Sequence, residues 1–279
     1  MKLENPPQPE QYDPAAEQPV REMAILLGGV LVISLVLALV LAYFAGMLAP
    51  RLPFAVERDF MAGRMSADPR YASQEAGLQQ LADRLGAALN LPADMKLTLH
   101  FSNDMTVNAF ATLGGHIVVY RGLVSRVSSE NALAAVLAHE IAHVRHRHPA
   151  AATGRGIAIG LVITLLSSAL GNSVAERIMG TAGMGVLLNY SREQETAADE
   201  DALRAVARVY GHLGGAADLF ETLKQSHPGS EGGFEIFRSH PFSDRRIEHV
   251  REFAVRNGIP VAGPLTPLAL SLPATAGKK

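Results

Sequence analysis

The chain has 279 residues, 48% of them hydrophobic and 19% charged, enough to bury a sizeable core and too apolar for disorder throughout. Lysine plus arginine (25) nearly balances aspartate plus glutamate (27), which argues against a basic footprint for nucleic acid. Cysteine is absent, so disulfide frameworks, thiol nucleophiles and thiolate metal sites are excluded; a metal here needs His, Asp or Glu, and the redox compartment stays open.

Residues 1–23 hold five Pro, five acids and two bases, a composition that reads as a flexible tail. From Ala24 to Ala49 run 26 residues without a formal charge. As a helix they would be about 39 Å long, more than the ~30 Å hydrocarbon core requires. This predicts a transmembrane helix over 24–49. A signal peptide is the competing reading, but the run is too long, the preceding segment is acidic, and no clean small-x-small cleavage site is present. Arg51, Arg58, Arg64 and Arg70 follow the run, against Arg21 and Lys2 before it. The positive-inside rule then leaves the main domain on the cytoplasmic side, in a bacterial inner membrane.

Residues 50–69 read as a linker. Leu78, Leu81, Ala82, Leu85, Ala88 and Leu89 recur with helical spacing, and Met95–Phe101 alternates as a strand does. Asn108–Leu113 and His116–Tyr120 flank Gly114-Gly115, the pattern of a hairpin. Ser128 or Ser129 caps a helix running to about His148, with Pro149 closing it. Gly156–Ala175 and Ile178–Ser191 carry no charge. The second is short for a span, so residues 156–191 read as an apolar helical hairpin that packs on the domain or dips into lipid. Helices are expected over Arg192–Tyr210, Ala216–Gln225 and Ser243–Asn257, and residues 258–279 read as a loose tail.

The segment that decides the functional class is His139-Glu140-Ile141-Ala142-His143. On a helix, positions four apart return to within about 40° of one another, so both imidazoles leave one face and can bind one ion. Neutral imidazole suits Zn²⁺. Glu140, offset about 100° from His139, is placed to take a proton from water at the metal. The bland alternative is a solvated helix, since His146 and His148 stand nearby. A catalytic zinc needs a third protein ligand, and Glu195 and Asp199 again stand four apart in a well-patterned helix. Glu195 can ligate while Asp199 accepts a hydrogen bond from a liganding imidazole; a charged solvent face is the competing reading, and Glu193 or His146 is the fallback ligand.

Four ordered segments resemble the M48 peptidases: Asn108-Ala109-Phe110-Ala111 with Gly114-Gly115-His116-Ile117; His139 through Val144; Ser191 through Asp199; and Ser239-His240-Pro241 with Arg246-Ile247. The resemblance covers roughly residues 70–256, within an expected domain over 70–257. It implies a zincin-like α+β fold, mainly helical, with a small sheet beside the HExxH helix and one membrane helix before it. It implies one Zn²⁺ per chain held by His139, His143 and Glu195, with Glu140 as general base and polypeptides as substrates. His240 is implied either as an oxyanion stabiliser or as a removable extra ligand, with capping of a turn as the plain reading. Arg246 orients the His-Pro loop or binds a carboxylate. Residues Asn108, Ala109, Phe110 and Ala111 are expected to bind substrate as an added strand. The one-anchor layout fits a membrane protease acting on misfolded or envelope proteins; a membrane-anchored holdase with structural or autoinhibited zinc, and an envelope amidase, are the other classes.

Overall fold

The computed structural model describes residues 19–170, 190–219, 221–222, 240, 244–270 and 272. Helix α1 (Pro19–Leu48) is, among the described residues, the one helix long and apolar enough to cross a membrane. It begins five residues before the expected span, because Pro19 opens its first turn, where a missing N–H costs nothing. The tail expected over 1–23 therefore gives up its last five positions to the helix, and the rest lies outside the described residues.

The expected linker contains structure of its own. Helix α2 (Phe54–Met61) packs on the domain with Phe54, Glu57 and Met61 buried. The Glu57 carboxylate accepts from Arg147 Nε at 2.8 Å and from the Gly114 N–H at 3.0 Å. A composition-based reading misses this because the ion pair joins residues 90 positions apart.

Helix α3 (Ala72–Ala88) buries Leu78, Leu81, Ala82 and Leu85 on one face. Three strands follow, β1 (Thr98–Ser102), β2 (Ala109–Ala111) and β3 (His116–Tyr120), in the order β1-β3-β2. Strand β1 is parallel to β3, with Leu99 opposite Ile117, and β2 is antiparallel to β3, with Ala111 opposite Ile117. Both glycines of the β2–β3 turn take positive φ, and at Gly115 a Cβ would meet the Lys96 carbonyl oxygen at 2.2 Å, so only glycine closes this turn.

After the short α4 (Arg121–Val124), helix α5 (Glu130–Arg145) occupies the middle of the domain. Ser129 is its N-cap, accepting from the Ala132 N–H at 3.2 Å. It packs against α3 and β2, and from Asn131 to Val144 every residue except Ala135 is buried. A helix covered on all sides has no polar face to show, and small Ala residues let its neighbours approach. It ends at Arg145 rather than at Pro149: Arg147 takes the left-handed conformation (φ 60), and Pro149 is the second residue of α6 (His148–Leu170).

Helix α6 packs along α1 through small residues. A Cβ on Gly154 would lie 2.7 Å from the Ala45 carbonyl oxygen, and the buried positions of α1 are Ala38 and Ala42. Residues 156–170 of the expected hairpin form the body of α6; residues 171–189 lie outside the described residues, as does part of the helix expected at 216–225.

Helix α7 (Arg192–Tyr210) starts with a Ser191–Gln194 capping box, ends at Gly211 (φ 80), and packs on α5. Helix α8 (Asp244–Asn257) follows. Residues 259–270 are not a loose tail. The Thr266 carbonyl accepts from the Glu130 N–H at 2.9 Å, the Thr266 N–H donates to Asn131 Oδ1 at 2.8 Å, and Leu268 and Leu270 pack on the core. The alternating Leu side chains find a groove that their Pro-rich composition does not reveal.

Asp201 ties α7 to α5 through Arg145 and through His146 at 2.9 Å, and also bonds Arg204 at 2.8 Å. Burial works to raise its pKa, but the Arg145 charge and hydrogen bond hold it below the usual carboxylate value. With the folded pKa depressed, the ion pair stabilises the fold above the unfolded pKa near 3.8 and is lost as pH falls through the folded value. Asp201→Asn should lower stability at neutral pH by about 1–3 kcal/mol, and the gap to the unsubstituted protein in thermal melts should close below about pH 4.

Candidate metal centre

Two helices supply the centre because each carries its polar residues four apart on one face. His139 and His143 project from α5, Glu195 and Asp199 from α7, and the two helices pack together. His240, from a segment far along the chain, closes the group. One nitrogen or oxygen from each of His139, His143, Glu195 and His240 lies within 4.8 Å of all the others, and all four residues are buried.

The spacings fit a shared cation. His139 Nε2 and His143 Nε2 are 3.0 Å apart, and they stand 3.4 and 3.5 Å from the Glu195 oxygens. Ligands bound tetrahedrally at about 2.0–2.1 Å are separated by roughly 3.3–3.4 Å. Glu195 Oε2 has no hydrogen-bond partner among the described residues, although it is buried. This buried oxygen stands 3.4 Å from one imidazole nitrogen and no closer than 3.5 Å to Arg246 Nη1, so it lacks a close proton donor, as an oxygen that faces a cation does. His240 Nδ1 sits 3.2 Å from His139 Nε2 and 2.9 Å from Glu195 Oε1, at the remaining corner.

Behind these atoms is a second ring of contacts. His139 Nδ1 lies 2.8 Å from Asp199 Oδ1, and Asp199 is itself gripped by two nitrogens of Arg246, one of them Nε at 2.9 Å. Arg246 Nη1 reaches to 3.5 Å of Glu195 Oε2. Burial would depress the His139 pKa, but the hydrogen bond and charge of Asp199 outweigh it and lift the value to about 9. Burial works to raise the pKa of Glu195 and of Asp199, yet both are held well below the carboxylate range, Glu195 by its three imidazoles and Asp199 by Arg246 and His139. His143, with no carboxylate on its other nitrogen, is driven down by burial and stays neutral.

Glu140 points to the other side of the helix row. Its Oε2 accepts from the Ala111 N–H at 2.9 Å and its Oε1 stands 3.5 Å from His240 Nε2. Strand β2 thereby meets the centre. The Tyr120 N–H donates to the Asn108 carbonyl and the Thr112 N–H to the His116 carbonyl, so residues 108 and 112 face β3 and the backbone groups of Ala109 and Ala111 face away from it. Phe110 is on the same strand, with its backbone turned to β3. Asn108 is buried, with Oδ1 lacking a partner among the described residues. A cavity of about 40 Å³ borders His139, Glu140 and His240, with apolar walls from Val136, Leu203, Leu219 and Val250.

Neither fallback ligand joins the cluster: His146 bonds Asp201, and Glu193 is exposed. Two residues that the motif reading passed over do touch it. His148 Nδ1 is 2.8 Å from His143 Nδ1, and burial, with the charge of His146, lowers its pKa to about 4. As a neutral acceptor it leaves the proton on His143 Nδ1 and Nε2 free to ligate. The Tyr190 ring stacks on His143 at 4.1 Å. His148 was visible in sequence as part of the histidine run; only the turn at Arg147 brings it back onto His143.

Residues 72–254 match the sequence profile of Peptidase family M48. The chain is similar to the mitochondrial metalloendopeptidase OMA1 of Schizosaccharomyces pombe, 31% identical over 161 residues, covering 58% of this chain and 48% of that one. It is similar to metalloprotease LoiP of Escherichia coli, 29% identical over 209 residues, covering 73% of this chain and 78% of that one. It is also similar to the beta-barrel assembly-enhancing protease of Escherichia coli, 27% identical over 190 residues, covering 63% of this chain and 39% of that one. The chain therefore spans about half or less of the first and third of these relatives.

Removing the Asp199 carboxylate should loosen the centre without unmaking it. Asp199→Asn is expected to weaken metal affinity about 10–100-fold in chelator competition, whereas Glu195→Gln should leave the purified protein without stoichiometric metal; full occupancy in Glu195→Gln would remove Glu195 from the ligand set.

Proposed function

The chain belongs to peptidase family M48, and from that premise we propose that it is a membrane-anchored zinc metalloendopeptidase that hydrolyses peptide bonds in misfolded or envelope proteins. The observation that carries the reading is the buried convergence of His139, His143 and Glu195, with Glu140 held at its edge. Two imidazoles and one carboxylate form a donor set suited to catalytic zinc. Zinc bound there would supply Lewis acidity, polarising a peptide carbonyl and making water nucleophilic near neutral pH.

The chain's own residues do the rest. The Ala111 N–H fixes one oxygen of Glu140 at 2.9 Å and leaves the other free. That free oxygen takes a proton from the attacking water and returns it to the leaving amine. Asp199, fixed by Arg246, accepts from His139 Nδ1 and keeps Nε2 directed at the centre. The outward backbone groups at Ala109 and Ala111 hold substrate as an added strand, a mode that reads backbone more than side chains and gives broad specificity. Since the Ala111 N–H is taken by Glu140, the Ala109 groups and the Ala111 carbonyl carry that pairing.

His240 has a second reading with its own support. Its Nδ1 fills the fourth corner, 2.9 Å from Glu195 Oε1, the place water needs. His240 then acts as a removable ligand that holds the enzyme shut until its imidazole leaves that corner, and afterwards the imidazole is free to stabilise the oxyanion.

Glu140→Gln should lower cleavage of an unfolded protein by about 10²–10⁴-fold while keeping one zinc per chain; full activity in that variant ends the proposed mechanism. His240→Ala separates the two roles of the histidine: a rise in basal cleavage at unchanged zinc content marks a removable ligand, a loss of cleavage marks oxyanion stabilisation.

A further inference from the structure

Helix α2 carries two apolar faces, and the domain uses one. The inner face is fixed by Phe54, 3% exposed, and by Glu57, whose carboxylate holds Arg147 and the Gly114 N–H; Arg147 Nη2 also donates to the Leu52 carbonyl at 2.9 Å. The outer face is different. Val56 and Phe60 stand one turn apart, 48% and 47% exposed, with Leu52 just before the helix at 50%. Arg64 lies over the Phe60 ring at 4.3 Å, and Arg58, paired only loosely with Asp59 at 3.6 Å, is more than half exposed. Exposed large apolar residues bordered by arginines are the composition of a helix at a bilayer surface, where rings and aliphatic chains enter the acyl boundary and guanidinium groups stay among phosphates.

The chain itself says what lies against this face. Helix α1 ends at Leu48 and α2 begins at Phe54, so five residues separate them. Even fully extended they reach only about 17 Å. Helix α6, packed on α1, also exposes large apolar residues, Ile157 (62%) and Leu161 (54%). We propose that α2 lies in the interface of the bilayer that α1 crosses, with Leu52, Val56 and Phe60 in the acyl boundary and Arg51, Arg58 and Arg64 on anionic headgroups. The proposal rests on the reading of α1 as a span. Its consequence reaches the centre: Glu57 holds the β2–β3 turn at Gly114, and β2 holds Glu140, so seating α2 sets the height of the edge strand above the lipid.

The test uses the full chain, which has no cysteine to remove. Single variants Val56→Cys, Phe60→Cys, Val32→Cys in α1 and Val255→Cys, 82% exposed on α8, are labelled with an environment-sensitive fluorophore. They are reconstituted in phosphatidylcholine vesicles with and without phosphatidylglycerol. Labels at 56 and 60 should be quenched by a spin label just below the headgroups at least about twofold more than the label at 255, and shielded from aqueous iodide. Removing phosphatidylglycerol, or adding Arg58→Ser with Arg64→Ser, should reduce both effects. Labels at 56 and 60 as open to iodide as 255, with 32 buried in lipid, overturn the proposal and leave the span standing. A label at 32 in water overturns both. Shielding from iodide without lipid quenching assigns the face to a protein and overturns the proposal as well.

Discussion

A carboxylate with 8% exposure and an oxygen lacking a hydrogen bond is an expensive thing to bury, and Glu195 is buried beside three imidazoles. The arrangement holds together because the polar groups packed against it answer one another. Asp199 answers His139, Arg246 answers Asp199, His148 answers His143, and the Ala111 N–H answers Glu140. Glu195 Oε2 remains without a hydrogen bond where the imidazoles converge, and a cation there would complete the network. The packing of α5 on α7 follows from this constraint as much as from apolar contact, since these two helices carry His139, His143 and Glu195, and Asp201 joins them again further on.

The same constraint explains why α5 is so apolar elsewhere. Its interior is filled with Ala, Leu, Val and Ile at nearly zero exposure, which brings α3, α7 and β2 close on three sides. Close packing keeps side chains in single rotamers, and a ligand set tolerates little displacement. Around this rigid centre, α1, α2 and α6 are tied on by specific contacts: Glu57 with Arg147, and Gly154 against Ala45. The domain and the apolar helix α1 thus share a junction at the end of α5, where Arg147 turns the chain into α6.

Much of the centre was legible in sequence because a helix imposes its period on whatever it carries. The His139–His143 and Glu195–Asp199 pairs are local facts, as is the uncharged run of α1. The hairpin around Gly114-Gly115 was legible for a similar reason, since few other residues tolerate that turn. The course of residues 259–270 was not, because a Pro- and Leu-rich segment is ordered only by the groove it meets. Nor was α2: a short helix following a membrane run has too little periodicity to stand out, and the ion pair that fixes it spans 90 positions.

Taken alone, the sequence determines what kinds of atoms are available and which of them share a helix face, because side-chain chemistry and the 3.6-residue period belong to the chain before it folds. It therefore determined an apolar segment of membrane-crossing length, a thiol-free ligand chemistry and two pairs of candidate ligands. Tertiary structure decided what those pairs meet. It brought His240 across 101 positions to His139, turned His148 back onto His143, set the Ala111 N–H on Glu140, and laid α6 along α1. Those outcomes depend on how separate elements pack, and no local spacing encodes the distance between them.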